Sequence, residues 1–258
     1  MKLNFIKKQL DSIIKEQPKT CIVLGSGLNN FIDEMEDKKY FSYHALDSFL
    51  TTNVKGHKGE FIFGYINKIP ILCANGRFHY YEGHTLEEIG IIISLFNLYN
   101  PKKYIITNSS GTVRLDWNIG DLMIVNKFID FSFINSNKIK TYPFKIKRKG
   151  IYNNIAIDLK IKLRYGAYTY TIGPTYETAS EIQEIIKIGG DVVGMSTFPE
   201  YLNCKKLKIN PIIVSCLTNY GAGLKASKVL HSHVLKNAKK TNKKFNLLIK
   251  EIICNSEI

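Results

Sequence analysis

Short apolar runs punctuate this chain, and each ends in a polar turn, most of them marked by glycine. "TCIVLG" (20–25), "EFIFGYI" (60–66), "IPILCA" (69–74) and "KYIITN" (103–108) are four of these runs. "DLMIVN" (121–126), "AYTYTIG" (167–173), "DVVGM" (191–195) and "NPIIVSCL" (210–217) are four more. Their β-branched and aromatic residues suit a buried, pleated surface, so they read as strands. Between them the apolar spacing changes to that of helices, in "TLEEIGIIISLFNLY" (85–99), "TASEIQEIIKIG" (178–189) and "ASKVLHSHVLKNAKKTNKKFNLLIKEII" (226–253). Thr85 and Thr178 each precede a glutamate and read as helix starts. The N-terminal "MKLNFIKKQLDSIIKEQ" has the spacing of an amphipathic helix, not of a signal peptide. The alternation predicts an α/β fold: one domain over residues 1–258, with a mixed central sheet between helices.

Composition changes this picture little. Hydrophobic residues make up 45% and charged residues 22%, an ordinary globular balance. A net charge of +14 invites a nucleic-acid reading. The lysines are spread along the chain, however, and the basic runs "KIKRKG" and "KNAKKTNKK" lack interleaved aromatics for stacking on bases. They read as a solvated loop and a solvated helix face, and no specific nucleic-acid partner is expected. The longest apolar run, "IGIIISLF", is too short to span a bilayer, so no membrane partner is expected. The five cysteines are scattered without a close pair, which points to reduced thiols in a cytoplasmic protein and to no metal site.

Chemistry gathers at the strand ends, where loops and backbone N–H groups face a ligand in α/β sheets. Six polar turns occupy such places: "GSG", "NGRFHYYEG", "NSSG", "GPTYET", "GMST" and "TNYGAG". Only four arginines occur among 36 Lys and Arg residues, and one of them, Arg77, lies in the second turn. A planar guanidinium does what a lysine cannot, including forked recognition of phosphate or carboxylate. Ser26, His57, Arg77 and His79 make an inventory suited to a small oxyanion. Glu177, next to Tyr176, and Asn219 suit a 6-oxopurine, which offers an N1–H donor beside an O6 acceptor. Taken singly, Ser26 reads as part of a tight turn, His57 as an exposed loop residue, Glu177 as a carboxylate at a helix N-terminus and Asn219 as a turn residue.

The ordered set "GSGL", "GHKG", "GRFHYYEG", "TNSSG", "GPTYET", "VGMSTFPE" and "TNYGAG" resembles the trimeric class of purine nucleoside phosphorylases over roughly residues 20–130 and 165–235. The resemblance implies that Ser26, His57, Arg77, His79, Ser109 (through its backbone N–H) and Ser196 hold phosphate. It places Tyr81 and Met195 at the ribose, with His231 at the 5′ hydroxyl, and Tyr176, Glu177 and Asn219 at the purine. His231 is preferred to His233 because "VLKNAKK" aligns with the family's C-terminal helix. Asn219, Glu177 and His79 would carry the catalytic work. The implied reaction is phosphorolysis of a purine nucleoside in a homotrimer. Inorganic phosphate would serve as co-substrate, with no cofactor and no metal.

Two departures stand out. The segment 131–165 is shorter than in the family and lacks its motifs. There Phe131, Phe133 and Phe144 are candidates for an aromatic that the family directs to the neighbouring subunit's ribose. "NSSG" carries serine where the family commonly has alanine. A methylthioadenosine or xanthosine phosphorylase of the same superfamily, or a noncatalytic nucleoside or phosphate binder, are the other functions these residues allow.

Overall fold

The apolar runs all become strands of one sheet. The computed structural model describes residues 3–47, 49–52, 54, 57–134, 136–225 and 231–258, with backbone only at 231–235 and 239. The first half of the chain contains α1 (Leu3–Leu10), β1 (Thr20–Leu24), β2 (Glu36–Ser42), β3 (Glu60–Ile66), β4 (Ile69–Asn75), α2 (Leu86–Ile89), α3 (Ile91–Asn97), β5 (Lys103–Thr112) and β6 (Leu122–Asp130). The second half contains β7 (Lys140–Pro143), α4 (Lys149–Asp158), β8 (Leu163–Tyr170), α5 (Ala179–Lys187), β9 (Val192–Gly194), α6 (Phe198–Lys206), β10 (Ile212–Tyr220) and α7 (His231–Cys254).

The strands run in the order β10-β6-β8-β9-β5-β1-β4-β3-β2, with β7 paired to β6. Because β5 also pairs with β10, the strands β5, β10, β6, β8 and β9 close into a ring. The others extend from β5 as an open wing. β1 lies parallel to both β4 and β5, and every residue of β1 is buried. A parallel strand covered on both faces must be apolar throughout, which is why "TCIVL" shows no polar alternation. Successive side chains still divide between the two faces. Cys21 and Val23 join the cluster containing Phe61, Phe96 and Phe198, whereas Ile22 and Leu24 join the one containing Phe31, Phe245 and Ile249 of the other layer.

Several boundaries differ from the sequence expectation. The helix expected over 85–99 is two helices meeting at Gly90, whose carbonyl accepts a hydrogen bond from Asn203 Nδ2. The N-terminal helix ends at Leu10 instead of running to residue 17. β5 continues past its apolar start through "SSGT", because β10 and β9 supply ladder partners there. Among the described residues β2 is a polar edge strand paired to β3 alone, and its "EDKKYFS" carries no apolar run to announce it. The helix starts at Thr85 and Thr178 are borne out: each side chain caps its helix in a reciprocal box with Glu88 or Glu181. Among the described residues no helix is long and apolar enough to cross a membrane.

Candidate active site

The turns that follow β1, β4, β8 and β9 and the late residues of β5 and β10 converge on one pocket of about 660 Å³, open solvent at its mouth included. Ser26, His57, Arg77, His79, Tyr81, Ser109, Tyr176, Glu177, Met195, Ser196 and Asn219 all line it. The twelfth expected residue, His231, begins α7, but its side chain lies outside the described residues. Gly25 explains the tight first turn. A Cβ there would fall 2.6 Å from Asn108 Cα, so only glycine lets the end of β1 press against β5.

One wall is built around Arg77, which is only 1% exposed. Nη1 donates to Ser196 Oγ at 3.1 Å and Thr197 Oγ1 at 2.8 Å, and Nη2 donates to the Thr107 carbonyl at 2.7 Å. Nε lies 3.3 Å from Glu200 Oε1, an ion pair with the carboxylate fully buried. Burial pushes the Glu200 carboxyl up, and the guanidinium opposes that shift. The arginine fork is therefore largely committed to the protein itself. One Nη2 hydrogen is left outside these bonds, so in this structure the fork grips the protein instead of standing open.

The same network sets the direction of a hydroxyl. Thr197 Oγ1 also accepts from Asn108 Nδ2 at 3.0 Å, so both its lone pairs are used. Its hydrogen is then directed to Ser196 Oγ, 3.2 Å away. Ser196 Oγ accepts from both Arg77 and Thr197, and its own hydrogen is left to donate into the pocket. Thr197 reaches this position with φ +73°, a strained value for a β-branched residue. Nothing in "GMSTFPE" announces that strain.

The histidines stand on the adjacent wall. Ser26 Oγ lies 3.2 Å from His57 Nε2, and the His57 and His79 rings are 5.3 Å apart. His79 stacks on Tyr81 at 4.8 Å. Glu82 Oε2 accepts from the His79 backbone N–H at 2.9 Å and lies 3.3 Å from Nδ1, while Thr52 donates to Oε1. Burial alone would raise the Glu82 carboxyl, but the hydrogen bonds from His79 and Thr52 outweigh it and hold the group below its ordinary value.

The opposite end of the pocket is less enclosed. Glu177, on the loop between β8 and α5, accepts from Thr171 Oγ1 at 2.7 Å. Burial raises its carboxyl above the ordinary value, and the Thr171 bond partly offsets that. Asn219 follows a register shift in the β5–β10 pairing, and its Oδ1 accepts from Thr218 Oγ1 at 3.0 Å. Phe144, partly buried, stacks on Phe128 and Tyr201. Phe131 packs on Phe133, which is 50% exposed.

Sequence reasoning missed the residues that hold the others: Thr197, Glu200, Asn108, Thr107, Thr171 and Glu82. Only "STFPE" carried a signal, since a proline in a helical first turn followed by glutamate marks the start of α6.

Fold and pocket together define an α/β protein whose strand ends hold an array of oxyanion donors beside a carboxylate–amide pair. A family model described as the phosphorylase superfamily matches residues 19–253, and the chain belongs to that superfamily. It is 31% identical to purine nucleoside phosphorylase 1 of Bacillus subtilis, over 98% of this chain and 96% of the relative. The structure of isoform 2 of purine nucleoside phosphorylase from Schistosoma mansoni, in complex with cytosine and ribose-1-phosphate, superposes with a TM-score of 0.88 at 27% identity, covering 98% of this chain and 96% of that one. The Schistosoma mansoni purine nucleoside phosphorylase in complex with inosine matches with a TM-score of 0.86 at 25% identity, over 97% and 95%. The same figures hold for its complex with adenosine.

Proposed function

We propose that this chain is a purine nucleoside phosphorylase that prefers 6-oxopurine nucleosides. The observation that carries this reading is the orientation of Ser196. Its hydroxyl is left as a donor beside His57, His79 and the remaining Arg77 N–H, an arrangement that suits phosphate, whose oxygens mainly accept. The relatives' names and bound ligands support the nucleoside half of the reading. Phosphate held by Ser26, His57, Arg77, His79, Ser196 and the Ser109 backbone would lie below a ribose contacted by Tyr81, Met195 and His231.

A phosphate oxygen then attacks C1′ of the ribose as the glycosidic C–N bond breaks. The bonding pair leaves with the purine, and the products are ribose 1-phosphate and the free base. Cationic character at the ribose is stabilised by the phosphate. Negative charge entering the purine is stabilised by Asn219 at N7 and O6, a contact that strengthens as the charge develops. Glu177, when ionised, accepts from N1–H of a 6-oxopurine. Adenine presents a lone pair at N1 instead, and a site that leaves buried polar groups unpaired discriminates by roughly 10⁴-fold or more.

The chemistry needs no metal, no other cofactor and no protein nucleophile. The active unit in this reading is a cytoplasmic homotrimer that returns bases from nucleosides, and light scattering should give the mass of three 29.5-kDa chains. The functional test is hypoxanthine release from inosine with and without phosphate, with adenosine alongside. Release that requires phosphate and strongly favours inosine is expected. Equal release without phosphate would make the protein a hydrolase, and parity with adenosine would refute the assigned roles of Glu177 and Asn219.

A further inference from the structure

The basic run "KNAKKTNKK", read from the sequence as a solvated helix face, lies in α7 and turns a polar side inward. Lys236, Lys240, Lys243 and Lys244 are exposed, as expected. Asn237 between them is half-buried, and Thr241 and Asn242 are buried. A polar side chain on the inner face of a helix needs a partner. Asn237 finds one in the strand that carries Asn219: its Nδ2 donates to the Thr218 carbonyl at 2.8 Å.

Thr218 is the irregular residue of β10. Leu217 stands opposite Ser110 and Asn219 opposite Gly111, so the register leaves Thr218 over. The residue before it is fixed by backbone bonds, since the Leu217 N–H donates to the Asp121 carbonyl and the Leu217 carbonyl accepts from the Gly120 N–H. An extra residue in one strand stands outside the ladder and re-aims the side chains around it, and its backbone groups then need other partners. The next side chain is Asn219, which lines the pocket. The Thr218 hydroxyl holds Oδ1 of that amide at 3.0 Å, and Nδ2 donates to the Tyr220 carbonyl at 3.1 Å. One Nδ2 hydrogen is left for a ligand.

We infer that Asn237 is a positioning residue: by holding the Thr218 carbonyl it fixes the bulge that aims the Asn219 amide at the purine. This rests on the reading of the pocket as a purine nucleoside phosphorylase site with Asn219 at N7 and O6. Asn237 is not among the residues that line the pocket, so it acts through Thr218 and Asn219 and not on the ligand. The contact it sets is one that strengthens as charge enters the base, and a small misplacement of such a group costs rate as well as binding. Base recognition thus depends on a helix that stands outside the pocket.

The test follows Asn237→Ala in both directions of the reaction, with inosine and phosphate and with hypoxanthine and ribose 1-phosphate. The variant should lower kcat/KM for inosine roughly tenfold and raise the KM for hypoxanthine, while the KM values for phosphate and ribose 1-phosphate stay unchanged. Asn246→Ala is the control for general damage to α7: Asn246 Nδ2 donates to Glu34 Oε1 at 3.2 Å, away from the pocket, and its loss should leave every one of these constants as in the parent. In an Asn219→Ala background, Asn237→Ala should cause no further loss of kcat/KM. If Asn237→Ala does not fold, Asn237→Asp keeps the shape without the donor and carries the same comparison. Unaltered kinetics, an equal rise of every KM, the same effects from Asn246→Ala, or full additivity with Asn219→Ala, in an enzyme that turns over inosine, overturns the Asn237 role alone. An unmodified protein that releases no hypoxanthine from inosine overturns the phosphorylase reading, and this role with it.

Discussion

The two ends of the pocket are built differently. At the end assigned to phosphate, Arg77 and Glu200 are buried to 1% and 0% exposure and tied to β5 and to the start of α6. At the end assigned to the base, Tyr176 and Glu177 sit half-buried on a loop, and Glu177 accepts a hydrogen bond from the Thr171 hydroxyl. The first arrangement couples ligand binding to the stability of the sheet. The second leaves recognition of the base nearly independent of folding. A site divided in this way keeps its co-substrate while its base preference can change.

The largest effect should come from breaking the buried pair. Arg77→Ala strands the Glu200 carboxylate without a counter-charge and should cost about 3–5 kcal/mol of unfolding free energy, together with phosphate-dependent turnover. Denaturant titration checks the first part and a phosphate saturation curve the second. Arg77→Lys keeps the charge but not the fork and should fall between Ala and the parent. If the Ala variant is as stable as the parent, the two ends do not differ as described.

A smaller loss is expected at Thr197. Thr197→Val preserves shape and backbone preference but leaves Arg77 Nη1 and Asn108 Nδ2 each short of an acceptor, for about 1–3 kcal/mol of stability. The KM for phosphate should rise, since the Ser196 hydroxyl is no longer oriented.

The base end should show the reverse balance. Glu177→Gln should reduce kcat/KM for inosine by roughly tenfold or more, with stability changed by less than about 0.5 kcal/mol. Burial holds the folded carboxyl above its ordinary value, so its ionisation subtracts stability as pH rises from the unfolded value through the folded one. Glutamine removes that loss, so any stability change at neutral pH should be a gain. Asn219→Asp should narrow the gap between inosine and adenosine, read from the ratio of their kcat/KM values.

The smallest effect is a shift in pH dependence. Glu177 accepts most strongly when ionised, so kcat/KM for inosine should fall on the acid side, along a limb displaced upward from the ordinary carboxylate range. The Thr171 hydrogen bond lowers that carboxyl. Thr171→Val should therefore move the acid limb to higher pH, and Glu177→Gln should abolish it. A pH profile of the two variants beside the parent decides the matter.

Much of this protein is determined locally. The buried strands are legible because a strand covered on both faces has to be apolar along its length, as in "TCIVL". The helix starts at Thr85 and Thr178 are legible because a capping box needs only residues three apart. The site residues are legible as polar turns at strand ends, and eleven of the twelve line one pocket. Tertiary structure alone decided the rest. β5 and β10 extend through polar residues because ladder partners meet them there. The sheet closes into a ring because β5 pairs with β10 across more than a hundred residues of chain. Arg77 is a buried keystone bonded to Ser196 and Thr197 rather than an open fork. A hydrogen bond between residues 119 or 120 positions apart leaves no periodic trace in the sequence, and the geometry of its donors and acceptors exists only once the strands are packed.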